Sequence, residues 1–299
     1  MRLLALASVL FLAACQSISP SKAPPLPEWQ SPEGRDSADL GVIRDLRSGA
    51  ELTPAQLLDR LAGAPRVLVG EQHDNPDHHA LELWLAQGLA ERRPQGSILM
   101  EMINPDQQQR VLRAQAGTAA GEPPADLQKA LAWQKGWDWS LYGPLVGWLV
   151  EQPAPLLSAN LDRSEITRIY RSPRKLPGKV STTAEVRKAL QEDIRESHCG
   201  LLPKKQIPAM LAVQQQRDRR MAEQLKRAPQ PALLFAGGFH VRRDLSVPLH
   251  LQDLGAEEGA RVLMLAEVGK PVSQAQADYV WYTPALPPQD HCAKIRKKP

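Results

Sequence analysis

Short apolar runs alternate with longer segments of helical periodicity along most of this chain. Apolar residues recur at helical spacing over 76–92, and a second helix is predicted over 106–116. Runs of four or five mostly apolar residues, typical of strands buried on both faces of a sheet, occupy 66–70, 97–100, 155–159, 232–236 and 261–265. Alternation of this kind predicts an α/β fold, with a mostly parallel sheet flanked by helices.

A long polar segment, about 163–227, separates the third predicted strand from the fourth. Its pattern is mainly helical, and it is too long for a simple crossover between neighbouring parallel strands. We therefore expect a helical subdomain inserted into the α/β core.

The amino terminus predicts export. Arg2 precedes an apolar run over 3–12, which is too short for a bilayer span of about 20 residues but fits a signal peptide. The run ends in Leu-Ala-Ala-Cys, which resembles the lipobox of bacterial lipoproteins. On this interpretation residues 1–14 are removed and Cys15 carries the lipid, including palmitate; the alternative is an ordinary signal peptide that contains a cysteine.

Residues 15–40 are rich in Pro and Ser and predict a tether between the lipid and a domain over 41–299. Two or three acyl chains hold a protein on a membrane where one binds only marginally. The residue after the cysteine is Gln16 and not Asp. By analogy with lipoprotein sorting, this favours the outer membrane, with the domain facing the periplasm.

Composition narrows the class of protein. Hydrophobic residues make up 42% of the chain, enough for a substantial core, and the formal net charge is only +4. Basic and acidic residues are interspersed except in the tail after Ala293. With no basic stripe and an exported chain, nucleic acid is not expected as a partner.

Two cysteines remain beyond Cys15. Cys199 and Cys292 each follow a histidine. In an oxidising compartment they favour a disulfide, while free thiols and a metal site stay open as alternatives.

Polar residues with acid–base character follow the predicted strands. Glu71 and His73 follow the first strand, Glu101 follows the second and His240 follows the fourth. Because ligands bind outside the carboxyl ends of parallel strands, we expect the four side chains to converge there. Two carboxylates and two imidazoles suit a divalent metal site or an acid–base site.

Several motifs together resemble the ChaN family of haem-binding uptake lipoproteins. They are GEQHDNPDHH at 70–79, LMEM at 99–102, GWDWSLYGPLV at 136–146, SHCGLLP at 197–203, QQQRDRRMA at 214–222 and AGGFHVRRDLSVPLHL at 236–251. The first and last are also similar to a wider superfamily that contains erythromycin-esterase-like hydrolases and Tiki-type metalloproteases. That likeness implies that Glu and His residues at the strand ends are catalytic, as they are in those hydrolases.

The ChaN resemblance implies haem as cofactor, held face to face in pairs by a homodimer, with each iron bound by a tyrosine. Tyr170, in a basic stretch, is favoured over Tyr142, which lies among tryptophans where a tyrosine commonly packs in the core. Tyr279 and Tyr282 flank Trp281 in a predicted late strand and complete the set of tyrosines. His198 and Lys175 are the predicted propionate contacts.

Three functions follow from these patterns. The first is a non-catalytic haem-binding lipoprotein of iron uptake, with an outer-membrane receptor or a periplasmic haem carrier as partner. The second is a hydrolase in which Glu71 or Glu101 activates water and His73 or His240 binds metal or polarises a carbonyl. No GxSxG or HExxH motif supports the common serine or zinc chemistries. The third is a scaffold lipoprotein that binds no small molecule.

Overall fold

The computed structural model describes residues 23–290 and 292–293. The predicted signal peptide and Cys15 lie outside them. In the described part of the chain, no helix combines the length and apolarity needed to cross a membrane.

The described residues form one sheet of eight strands, in the order β2-β1-β8-β7-β3-β6-β4-β5. The six strands from β8 to β5 are mutually parallel, and β1 pairs antiparallel with both β8 and β2. The strands are β1 (Ile43–Asp45), β2 (Glu51–Leu52), β3 (Arg66–Glu71), β4 (Ser97–Met100), β5 (Leu156–Ser158), β6 (Ala232–Gly237), β7 (Arg261–Glu267) and β8 (Tyr279–Thr283). The predicted α/β class is confirmed.

Helices cover both faces of this sheet. They are α1 (Pro54–Ala62), α2 (Pro76–Ala90), α3 (Gln108–Ala119), α4 (Leu127–Ala130), α5 (Trp139–Glu151), α6 (Arg163–Arg171), α7 (Ala184–Ser197), α8 (Ile207–Arg227), α9 (Gly238–Val241) and α10 (Val247–Asp253). Short 3₁₀ turns at Pro105–Gln107 and Lys204–Gln206 lead into α3 and α8.

The central strand β3 is buried along its whole length and divides the core into two layers. Val67 and Val69 pack on the layer that includes residues of α1, α2 and α5. Leu68 packs on the opposite layer, with residues of α8 and α10. Successive strand residues point to opposite faces, so an unbroken apolar run is what a strand covered on both sides requires.

The segment 163–227 contains α6, α7 and α8. Val186, Leu190 and Ile194 of α7 meet Leu211 of α8 in a small separate core. Farther along α8, Met221 and Leu225 belong to the main core. The long helix α8 therefore joins the inserted helices to the sheet.

The described part of the predicted tether, residues 23–40, lies on the domain. The backbone amides of Gln30 and Ser31 donate to the buried carboxylate of Asp77, at 2.6 and 2.9 Å. Trp84 donates from its indole nitrogen to the carbonyl of Pro24, at 2.9 Å. A Pro- and Ser-rich composition indicates a spacer, but here the buried Asp77 and Trp84 take their hydrogen-bond partners from it, so this part is not a free linker.

Cys199 and Cys292 form a disulfide, with their Cα atoms 5.6 Å apart. Of the three alternatives for these cysteines (a disulfide, free thiols or a metal site), the structure contains the disulfide. It links the end of α7 to the carboxyl-terminal segment.

Candidate functional site

The four predicted strand-end residues meet at the carboxyl edge of the sheet. Glu71 is the last residue of β3, Glu101 directly follows β4, and His240 lies in α9 directly after β6. Because β6 lies between β3 and β4, these ends are adjacent. The expected convergence is therefore present, and it divides into two hydrogen-bonded groups.

The first group joins Glu71, His73 and Tyr142. Nδ1 of His73 contacts Oε1 of Glu71, and the hydroxyl of Tyr142 donates to the same oxygen at 3.2 Å. Burial and the Glu71 carboxylate raise the pKa of Tyr142 well above its ordinary value, so its hydroxyl stays protonated. Tyr142 thus belongs to the interior acid–base cluster.

The second group joins Glu101, His240 and Asp218. Nδ1 of His240 lies 2.5 Å from Oδ1 of Asp218, and Nε2 lies 3.2 Å from Oε1 of Glu101. Burial alone would lower the pKa of His240, but the carboxylates of Glu101 and Asp218 raise it to about 10. His240 is therefore an imidazolium held between two acids.

His73 is the accessible member of the cluster, because 44% of its side chain is exposed while that of Glu71 is fully covered. Burial opposes protonation of His73, but its contact with Glu71 and the nearby Glu101 charge raise its pKa to about 9. Its ring packs edge-on against Trp137, with centroids 4.9 Å apart. His73 thus presents a protonated ring at neutral pH.

Gly237 joins the two groups through its backbone. Its amide donates to Oε2 of Glu101 at 2.9 Å. A Cβ at this position would lie 2.7 Å from Cε1 and 2.8 Å from Nε2 of His73. The close approach of the His73 ring therefore requires glycine.

Sequence reasoning missed Asp218 and the place of Tyr142 in the cluster. Asp218 lies within the polar stretch of α8 yet is completely buried. No local pattern separates it from its exposed neighbours, so only the packing of α8 against α9 identifies it. The signal for Tyr142 was its Trp-rich surroundings, which favour a buried ring with a hydrogen-bonded hydroxyl.

A divalent metal site is the other arrangement that the sequence suggests. Within residues 23–290 and 292–293, no group of three or more His, Cys, Asp and Glu side chains is placed to hold an ion. His73 and His240 are each paired with a carboxylate, an arrangement that suits acid–base chemistry.

Three of the predicted haem residues lie on elements that do not supply this cluster, and the fourth, Tyr142, is part of it. Tyr170 is on α6, Lys175 is exposed in the segment after it, and His198 directly follows α7. Nδ1 of His198 donates to the carbonyl of Ile194 at 2.7 Å. This bond orients the ring and uses Nδ1 rather than Nε2. Tyr142, the second iron-ligand candidate, is fully buried, so its position does not suit an external haem.

Residues 57–251 match the model of a family described as haem-binding uptake, Tiki superfamily, ChaN. The chain belongs to this family. Among solved structures, the ChaN of Campylobacter jejuni, described as showing cofacial haem binding, is 30% identical to this chain. The match covers 85% of this chain and 98% of that one, with a TM-score of 0.74.

An erythromycin esterase in its open conformation is also similar, at 16% identity over 81% of this chain and 83% of that one, with a TM-score of 0.43. No curated protein matches the chain. The predicted resemblance to ChaN and the haem cofactor of that family are confirmed.

Proposed function

We propose that this ChaN-family protein is a lipid-anchored haem carrier of the outer membrane, facing the periplasm, which binds haem iron through Tyr170 at a homodimer interface. It serves haem and iron uptake as a binding protein. An outer-membrane haem receptor or a periplasmic haem carrier is its partner in transfer.

The exposure of Tyr170 carries this proposal. All four tyrosines of the chain lie in the described residues, and Tyr170 is 36% exposed. Tyr142, Tyr279 and Tyr282 are 0%, 6% and 7% exposed. An iron in a haem that is shared between two subunits must be reached from the surface, and Tyr170 is the one of the four tyrosines that is exposed there.

The charges around Tyr170 suit the rest of the haem. Exposed basic residues precede and follow it, namely Arg163, Arg168, Arg171, Arg174 and Lys175. Guanidinium and ammonium groups pair well with carboxylates, so this surface favours two haem propionates. Lys175 and His198 are the propionate contacts in our proposal, and in a cofacial dimer they belong to the opposite subunit from Tyr170.

The donor chemistry also fits. Tyrosinate is a hard, anionic oxygen ligand, and bound ferric haem supplies the positive charge that stabilises it. Tyr170 lies in α6, a helix that also carries Arg163, Arg168 and Arg171. By contrast, the pKa of Tyr142 is raised by burial and by Glu71, so ionisation of Tyr142 is opposed.

A hemin titration of the full-length protein in detergent tests the proposal. We expect saturation near one haem per subunit, a high-spin tyrosinate spectrum and a shift to dimer in sedimentation. Tyr170→Phe should abolish the tyrosinate charge-transfer band. Tyr142→Phe and Glu71→Gln are the controls and should retain it.

A band that survives in Tyr170→Phe and disappears in Tyr142→Phe would overturn the ligand assignment. A haem-loaded protein that stays monomeric would contradict the shared site. For the anchor, the mass of the mature chain should show acyl chains that are absent from Cys15→Ser.

The hydrolase that the sequence also predicts would use a different part of the molecule. Its candidate pair, Glu71 and His73, lies at the carboxyl end of β3.

A further inference from the structure

A recess of about 300 Å³ lies between the start of α7, the first half of α8 and the segment that connects α6 to α7. Its polar lining consists of Arg174, Lys175, Thr182, Arg187 and Gln215. Tyr170 is not part of this lining. We call this site the α7–α8 recess.

The α7–α8 recess carries three positive charges, on Arg174, Lys175 and Arg187. No Asp or Glu among the described residues lines it. In that part of the chain, none of the three cations makes a salt bridge or a side-chain hydrogen bond, whereas Arg242 is paired with Asp244 at 2.8 Å. Uncompensated cations in a concave site attract an anion, and three of them favour a dianion.

Hydrogen bonds fix the segment that forms one wall of the recess. The backbone amides of Lys179, Val180 and Ser181 donate to the Asp253 carboxylate at 2.7, 2.9 and 3.1 Å. The hydroxyl of Ser181 donates to the same carboxylate at 2.6 Å. The chain that supplies two of the cations is therefore anchored to α10, and a wall fixed in advance lowers the ordering cost of binding.

Gln215 lines the recess from α8 and has an acceptor to offer. Its side chain is buried, and its Nε2 donates to the carbonyl of Ser181 at 3.2 Å. Its Oε1 has no hydrogen-bond partner among the described residues. A carboxamide oxygen accepts hydrogen bonds and does not donate them, so it favours an anion that carries a hydroxyl group.

The recess also lies at the beginning of two helices. The helix α7 begins at Ala184, between the lining residues Thr182 and Arg187, and the lining residue Pro208 is in the first turn of α8. The N-terminus of a helix carries a partial positive charge and unpaired amides, which favour anions such as phosphate. This contribution adds to that of the three side-chain cations.

We propose that the α7–α8 recess is a binding site for hydrogen phosphate. Arg174, Lys175 and Arg187 bind its charged oxygens, and its hydroxyl donates to Oε1 of Gln215. An ionised haem propionate is the other candidate occupant, but it has no hydroxyl for Gln215. Phosphate binding requires no haem, so the site goes beyond the proposed function.

Calorimetric titration of the full-length protein with inorganic phosphate, in detergent and phosphate-free buffer at pH 8, tests the proposal. We expect saturation at one phosphate per subunit and an affinity that falls as NaCl is added. Sulfate, a dianion of similar shape without a hydroxyl, should bind more weakly. Arg187→Gln should weaken phosphate binding by about tenfold or more, because a charge-assisted hydrogen bond is lost.

Lys188→Gln is the matched control, because Lys188 is the next residue of α7, is exposed and does not line the recess. It should bind phosphate as the wild type does, and circular dichroism should show that both variants are folded. The proposal is overturned if the wild type shows no saturable phosphate binding, if both variants are weakened equally, or if sulfate binds as tightly as phosphate.

Hemin titration of the same samples separates this site from the proposed haem function. A wild-type protein that binds phosphate but not hemin would contradict the haem proposal and leave the phosphate site standing. If the wild type binds hemin but not phosphate, and Arg187→Gln weakens hemin binding, the recess belongs to a propionate and the phosphate proposal is wrong.

Discussion

The imidazole of His240 lies with its Nε2 atom 3.2 Å from Oε1 of Glu101, inside the protein. Glu101 accepts a second hydrogen bond from the amide of Gly237 and Asp218 holds the other nitrogen of His240. Burial alone would raise the pKa of Glu101, but the His240 charge and hydrogen bond, with His73 and the Gly237 amide, hold it below its ordinary range. The ionised pair of Glu101 and His240 therefore joins the end of β4 to α9, and the contact of His240 with Asp218 adds α8.

This pair predicts a loss of stability at alkaline pH. The pKa of His240 is about 10 in the folded protein against 6.5 as the ordinary value, so the folded state binds more protons between these pH values. Its contribution is fully present below pH 6.5 and is lost as the pH rises toward about 10. His73, with a pKa of about 9, acts in the same direction. Urea denaturation at pH 6.5, 8 and 9.5 should show a falling free energy of unfolding.

His240→Asn is the comparison that isolates this effect. The variant should be less stable than the wild type at pH 6.5, because Glu101 and Asp218 lose their counterion. It should then lose less stability between pH 6.5 and 9.5. Equal slopes in the two proteins would show that the His240 charge does not stabilise the fold.

Gly237→Ala should disturb the His73 ring. The added methyl group would meet ring atoms at 2.7 and 2.8 Å, well inside normal contact, so the ring must move from Glu71. Overpacking of a core destabilises by about 1–3 kcal/mol, and because the His73 side chain is 44% exposed we expect a loss at the low end of this range. Tryptophan fluorescence should also change, since Trp137 packs on the same ring.

Gly147→Ala is a matched control for that substitution. Gly147 lies within α5, and a Cβ there meets nothing within 4 Å. Alanine is favoured over glycine in a helix by about 0.5–1 kcal/mol, so this variant should gain stability. The two substitutions should therefore shift the urea midpoint in opposite directions.

His250→Leu should stabilise the protein in acid. His250 is completely buried, and neither ring nitrogen has a partner among the described residues. Burial, reinforced by Arg219, lowers the pKa of His250 to about 4. The unfolded chain thus binds the extra proton as the pH falls from 6.5 toward 4, and stability is lost in that window.

The leucine variant removes this proton linkage and should lose less stability than the wild type between pH 6.5 and 4. Replacing an unsatisfied buried polar group by an apolar one of similar size is nearly neutral or stabilising. His250→Asn keeps an unpaired polar group and serves as control. If His250→Leu is strongly destabilised at pH 7, the ring makes a contact that leucine cannot replace.

Removing the disulfide should destabilise the folded chain. Cys199 and Cys292 are 93 residues apart, so the bond closes a long loop in the unfolded state. The expected loss for the double Cys→Ser variant is about 2–5 kcal/mol. A reductant should lower the melting temperature of the wild type and leave that of the variant unchanged.

The sheet could be predicted because its inner strands carry local signals. The apolar runs within β3 and β4 are unbroken because both faces of each strand are covered. The predicted bounds of these two strands differ from the structure by at most one residue. The strands β1 and β2 were not predicted. They are only three and two residues long at one side of the sheet, and so few residues form no recognisable period.

Sequence alone determined which residues could do chemistry: Glu71, His73, Glu101 and His240 each follow a predicted strand, and parallel strands bring such ends together. It could not decide which of two tyrosines reaches the surface. Tyr142 and Tyr170 both lie in helices, and only tertiary packing covers one and leaves the other exposed. Asp218 likewise became part of the site only when α8 packed beside α9. The periodicity of a strand or helix depends on neighbouring residues, whereas burial and charge pairing depend on groups far apart in the chain. Glu71 and Tyr142 are separated by 71 positions, and only the folded sheet and its helices bring them together.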